Sequence, residues 1–320
     1  MQRREFINRS AILGASLVAT GSLIKSAYGM VSDISSRKVL QVLNPHRSMV
    51  GSIPIIRAFP GGQVDFISPF LLLDEFGDIY MAPKKDPVGV GAHPHAGIVP
   101  TSYFVSGSGH HKDSLGYDFQ VNKGEFMLFQ AGKGAIHMEY SGQKLYDEGG
   151  TYHGFQIWLN LPAKDKYINP DTLVMRDAQI PEIKTDKYTI KVVMGKHGDH
   201  KAAAETVTPA FYYHVTTKAN TQVSFEVDAN HNAFIYNIKG ELELKDQLTL
   251  KEKHLAMYER GKEVIDVFSE KEAEFLLLGG QPLSDPVVSY GPFVMNTEAQ
   301  INQCIRDYNS GKMGNPELVK

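Results

Sequence analysis

Beyond about residue 38 the chain reads as short apolar runs cut by glycine. The run at 101–105 meets Ser106-Gly107-Ser108-Gly109, the run at 126–130 meets Gly132-Lys133-Gly134, and a third run covers 155–159. Runs of this length and spacing, without a sustained repeat of 3.6, predict strands of an antiparallel sandwich or barrel. A second series at 211–215, 222–227, 233–238, 241–244 and 274–278 repeats the pattern, so two β domains in tandem are expected. The stretch 164–206 is more polar, holds Pro170, Pro181 and Gly195, and reads as linker plus flanking strands. Near the end, residues 297–310 place Ile301, Ile305 and Tyr308 on one side behind a Thr297-Glu298 start, which predicts a helix.

At 320 residues and 42% hydrophobic content, the chain has enough apolar material for two ordinary cores. Its 33 basic and 36 acidic residues leave a net charge of -3. That balance lacks the phosphate-neutralising surface that nucleic-acid binding needs, so the expected partners are a small molecule or a protein. The first 29 residues differ in kind. Arg3-Arg4-Glu5-Phe6-Ile7 precedes an apolar run at 11–24, and Ala27-Tyr28-Gly29 offers small residues for cleavage. This pattern is that of a twin-arginine export signal, with an amphipathic N-terminal helix as the alternative. The run is short and rich in Gly, Ser and Thr, so no stable membrane span is expected in the mature chain, which is expected to be periplasmic or otherwise exported. The single cysteine, Cys304, is far from the cleavage region, which excludes a lipid-modified N-terminus and any intrachain disulfide.

Two short motifs carry candidate chemistry. In a strand, residues i and i+2 share a face, so His93-Pro94-His95 directs two imidazoles to one side. His137-Met138-Glu139 repeats the arrangement just after the Gly132/Gly134 turn. One H-x-H is weak evidence, but two such pairs brought together supply three nitrogens and a carboxylate, a set suited to a divalent transition metal with open positions.

The stretches HPHAGI, DSLG, QAGKGAIHMEYS, HGFQIWLNLPAKDK and YGPFVMNTEAQINQCIRDYNSGKMG resemble the ordered signatures of the pirin family, a two-domain branch of the cupin superfamily. The likeness runs from about residue 38 to Gly314. It implies an all-β bicupin, two antiparallel jelly-roll-like β-barrels in tandem with a C-terminal helix: a metal-binding domain over 38–172 and a metal-free one over 173–320. It also implies one metal on His93, His95, His137 and Glu139. Fe(II) is the first expectation, and Ni, Cu, Mn and Co remain open. By the same resemblance, the activity expected is a metal-dependent dioxygenase that cleaves quercetin-like flavonols or related enolisable aromatics with O2, Glu139 taking the substrate proton. The alternative is a non-catalytic metal- or redox-sensing protein that binds another protein. A monomer is expected. The chain departs from the family directly after the histidines: Ala96-Gly97-Ile98-Val99 and Pro100 replace the usual Arg-Gly-Phe-Glu run, which removes a cation and a carboxylate beside the site.

The remaining candidates have plainer readings. His231 stands without a partner motif, since Leu255-Ala256-Met257-Tyr258-Glu259 offers no second H-x-E, and is expected to be structural. His110-His111-Lys112-Asp113 reads as a solvated strand start rather than a second metal site. His153 reads as either pocket-lining or core, Phe155 and Trp158 as core, and Cys304 as an inert buried thiol.

Overall fold

The two series of strands build two sandwiches of one design in a computed structural model that describes residues 36–319. Each sandwich sets a seven-stranded antiparallel sheet beside a four-stranded one. In the first, the large sheet runs in the order Asp171–Met175, Phe126–Gln130, Ile98–Ser106, Gly150–Asn160, Phe70–Met81, Ile53–Phe59, His46–Val50. Its small sheet is Gly89–His95, Ala135–Ser141, Ser108–Asp113, Asp118–Asn122. The second large sheet is Val39–Leu43, Leu255–Tyr258, Asn232–Lys239, Ala273–Gly280, Ala210–Thr217, Tyr188–Met194, Glu182–Lys184, and its small sheet is built on Thr221–Glu226 and Val264–Ser269. The all-β, two-barrel expectation with a C-terminal helix therefore holds. The export-signal reading of residues 1–29 lies outside the described residues. Among the described residues, no helix is long and apolar enough to cross a membrane.

Packing explains why stretches such as Phe275-Leu276-Leu277-Leu278 are apolar throughout instead of alternating. Leu276 and Leu278 join a core shared by both large sheets, whereas Phe275 and Leu277 point into the second barrel's own core. Both faces of the strand are dry, so both sets of side chains are apolar, each contributing about 1.5–3 kcal/mol on burial. The shared core brings Phe59 and Phe70 of the first half edge-on to Phe234 of the second, with ring centroids 5.6 and 5.2 Å apart. A buried polar knot crosses the same junction. Glu75 accepts hydrogen bonds from His153 Nε2, Lys253 Nζ and Tyr236 Oη, each at 2.6 Å. His153 is thus a core histidine satisfied by a carboxylate.

The halves also exchange their terminal segments. Val39–Leu43, which precedes the first barrel, pairs with Leu255–Tyr258 in the second. Arg37 anchors it there, donating to the carbonyls of Lys262, His231 and Asp228. In return, the Val288–Tyr290/Phe293–Met295 hairpin and the helix Glu298–Asn309 pack on the first barrel, where Phe293, Met295, Ile301 and Cys304 meet Ile136 and Met138. The helix starts where the sequence predicts. Thr297 Oγ1 accepts from Gln300 N–H while Gln300 Oε1 accepts from Thr297 N–H, a reciprocal cap. Burial pushes the Cys304 thiol up to about 11, which suits an inert group. One short helix, Gln143–Glu148, was not expected; six residues are too few for a helical repeat to show in the sequence.

Candidate metal centre

The small sheet of the first barrel places Ala135–Ser141 between Gly89–His95 and Ser108–Asp113. Antiparallel register sets His137 opposite His93 and Ala135 opposite His95, so the i, i+2 pair and the third histidine face one space. One ring nitrogen from each of His93, His95 and His137 lies within 4.8 Å of the others, and the Nε2 atoms of His93 and His137 are 3.0 Å apart. His95 and His137 are buried, and His93 is partly open to solvent.

Two of the three rings are oriented by a backbone carbonyl. His93 Nδ1 bonds the Gly91 carbonyl at 2.8 Å and His95 Nδ1 bonds the Pro292 carbonyl at 3.1 Å. A carbonyl can only accept, so both Nδ1 atoms carry a proton, which leaves Nε2 as the ligand atom of each ring in its neutral form. Burial, with the neighbouring His93 adding to it, lowers His95 to about 3 and puts His137 well below the usual imidazole range. His137 is stacked on Phe129, with centroids 4.4 Å apart and planes 18° apart, and its Nδ1 is buried without a hydrogen-bond partner. Among the described residues, the hydrogen-bond partner of its ring is the Nε2 of His93. A converging nitrogen set with so little hydrogen bonding of its own fits a first-row divalent metal.

Glu139 is placed differently. The register slips by one residue between His137 and Glu139, which pairs with Val90 on one side and with His111 on the other. Its carboxylate shares a 4.8 Å cluster with His111 and His137, and Ser102 Oγ donates to its Oε1 at 2.9 Å. Glu139 therefore adjoins the three-histidine group through His137 while its oxygen is held on the side of Ser102.

His111 is the residue that the sequence reading missed. It is not at a solvated strand start: it is 1% exposed in Ser108–Asp113, with its ring 5.3 Å from that of His137 and 5.5 Å from that of Phe129. Its Nε2 bonds Asp113 Oδ2 at 3.0 Å, and its Nδ1 is buried without a partner. His111 and Asp113 are themselves an i, i+2 pair, the same signal that marked the other two. A cavity of about 40 Å³ lies beside this group, lined by Ser102, His111, Glu139 and Gln156 among apolar residues that include Phe104 and Tyr152. That is room for about three waters or a dioxygen molecule, against the several hundred Å³ of a drug-sized ligand site.

Ala96, Ile98 and Val99, which stand where an arginine, a phenylalanine and a glutamate were expected from the resemblance, are all buried. Val99 joins the core shared by the halves, Ile98 packs with Leu71, Val294 and Trp158, and Ala96 lies against Phe293. Dry packing here replaces the missing ionic groups. In the second barrel, His231 is half-buried in a loop where its carbonyl accepts from Arg37. Among the described residues, both clusters able to hold a metal lie in the first barrel.

Comparison with known proteins agrees with this architecture. The family model for pirin matches residues 53–159, and that for the pirin C-terminal cupin domain matches residues 212–314. Pirin from Homo sapiens is 30% identical over 286 residues, spanning 88% of this chain and 95% of its own. A solved quercetin 2,3-dioxygenase from Acinetobacter baumannii superposes with a TM-score of 0.84 at 30% identity, over 88% of this chain and all of that one, 100%. A bacterial pirin from Escherichia coli, solved in complex with nickel(II), shares the fold with a TM-score of 0.60 at 18% identity, over 76% of this chain and 99% of that one. Fold and site together define a two-barrel cupin. Within that class, the chain belongs to the pirin family.

Proposed function

We propose that this chain is a metal-dependent dioxygenase that opens a quercetin-like flavonol or a related enolisable aromatic with O2. His93, His95 and His137, with Glu139, would hold one divalent metal, Fe(II) first among the candidates. The metal, when bound, supplies a Lewis acid that lowers the pKa of a substrate hydroxyl. Glu139 takes the hydroxyl proton on its carboxylate, which Ser102 orients by its hydrogen bond. Phe129 and Trp158 pack against His137 and His95 and keep water from the ligand rings. The organic substrate approaches from the partly open His93 side, and the small chamber beside Glu139 is sized for dioxygen. The observation that carries this reading is the convergence of one ring nitrogen each from His93, His95 and His137, with the Nδ1 atoms of His93 and His95 committed to carbonyls.

The same reading takes residues 38–172 as the metal-binding domain, 173–320 as a metal-free partner, and the mature protein as a monomer exported through the twin-arginine signal at 1–29. The test is oxygen uptake by the iron-loaded protein over a panel of flavonols and smaller enolisable phenols. Uptake that disappears in His93→Ala is expected, and no uptake with any candidate overturns catalysis.

A further inference from the structure

The strand that carries His93 and His95 ends where the exchanged C-terminal segment arrives. Ala96 and Phe293 form a parallel bridge, and Val294 N–H donates to the Ala96 carbonyl at 3.1 Å. One residue before that bridge, on each chain, His95 Nδ1–H meets the Pro292 carbonyl. One residue after it, the chains run so close that a Cβ on Gly97 (φ +76°) would lie 2.0 Å from the Val294 oxygen. Glycine is required there twice over, by the positive φ and by the approach.

Lys166 sits at this junction, fully buried at 0% exposure. Its Nζ donates to the Gly97 carbonyl at 2.8 Å, the Val294 carbonyl at 2.9 Å and Asn160 Oδ1 at 2.5 Å. Three acceptors match the three N–H bonds of an ammonium group, and none of them is a carboxylate. Two of the three belong to the two chains that the lysine joins. Nothing in the proposed chemistry uses this group, and a buried lysine without an ion-pair partner is costly to keep unless its three bonds do something.

We infer that Lys166 is a positioning residue for the metal site: it clamps the C-terminal segment onto the histidine strand and so holds the Pro292 carbonyl that fixes His95 with its Nε2 lone pair free. Partners of this kind behind a ligand histidine are worth 10–100-fold in metal affinity. The inference rests on the reading of His95 as a ligand, and the experiment separates the two. Co(II) affinity, by chelator competition, and the visible spectrum of the Co(II)-loaded full chain are measured for wild type, Lys166→Met and Phe293→Ala. Leu277→Ala, in the second barrel's core, serves as a destabilised control. Lys166→Met and Phe293→Ala are expected to bind at least about 10-fold more weakly, with shifted ligand-field bands, while Leu277→Ala binds as wild type does. If Lys166→Met does not fold, Phe293→Ala decides. Affinity within twofold of wild type in the folded variants overturns the inference, as does an equal loss in Leu277→Ala. A wild-type chain that binds no Co(II), Ni(II) or Fe(II) overturns the metal reading itself.

Discussion

Phe234→Ala tests whether the metal-bearing half stands alone. Phe234 belongs to the second half but is fully buried between Phe59 and Phe70 of the first, edge-on to both at 5.6 and 5.2 Å. Truncating a buried phenylalanine removes its transfer energy and leaves a cavity, a cost of about 3–5 kcal/mol. The two edge-to-face pairs, at about 0.5–1.5 kcal/mol each, place this site in the upper part of that range. At about 2 °C per kcal/mol for a folded unit of this size, Tm should fall by about 8–10 °C. The chain offers a local reporter: its single tryptophan, Trp158, lies in the first half with its ring 5.0 Å from His95. Far-UV circular dichroism follows both halves, and Trp158 fluorescence follows the metal half. If the shared core makes the two barrels one cooperative unit, both signals move together by the full amount. A fluorescence transition that stays at the wild-type temperature while the dichroism splits in two would refute the reasoning.

Two further outcomes follow from the centre's electrostatics. In metal-free protein, burial lowers His95 to about 3 and moves His137 the same way, so below the ordinary imidazole range the unfolded chain binds protons that the folded chain does not. Stability is then fully present above about pH 6.5 and falls as pH drops toward 3, by up to about 1.4 kcal/mol per pH unit for His95 alone. Urea midpoints at pH 7 and pH 5 should differ in wild type and differ by less in His95→Gln, where the His137 contribution remains; equal midpoints in the wild type would contradict the assignment. Asp113→Asn should cost about 2–3 kcal/mol, since the carboxylate accepts from His111, Thr172 and the amides of Leu115 and Tyr117. A denaturation midpoint unchanged in that variant would remove Asp113 from the support of His111.

Local spacing carried the reading as far as local physics reaches. Alternation across a strand put His93 with His95 on one face and His137 with Glu139 on another, and the register sets His137 opposite His93. The same rule applied to His111 and Asp113 would have found the fourth imidazole of the group. The glycines and serines before it read as a solvated turn, however, and the burial of His111 comes from Phe129 and His137, which lie on other strands. The slip that pairs Glu139 with Val90 is a property of two strands together and leaves no mark in either alone. The exchange of terminal segments is more distant still. The acceptor that sets the tautomer of His95 lies 197 positions away, and the lysine that clamps it there comes from a third region of the chain. Residue types beside the histidines specify which ions can bind. What holds those residues in place is spread over the whole fold, so the departure at Ala96, Ile98 and Val99, which reads as a loss when only the neighbouring residues are compared, is in three dimensions the dry seat on which the C-terminal segment and the second barrel rest.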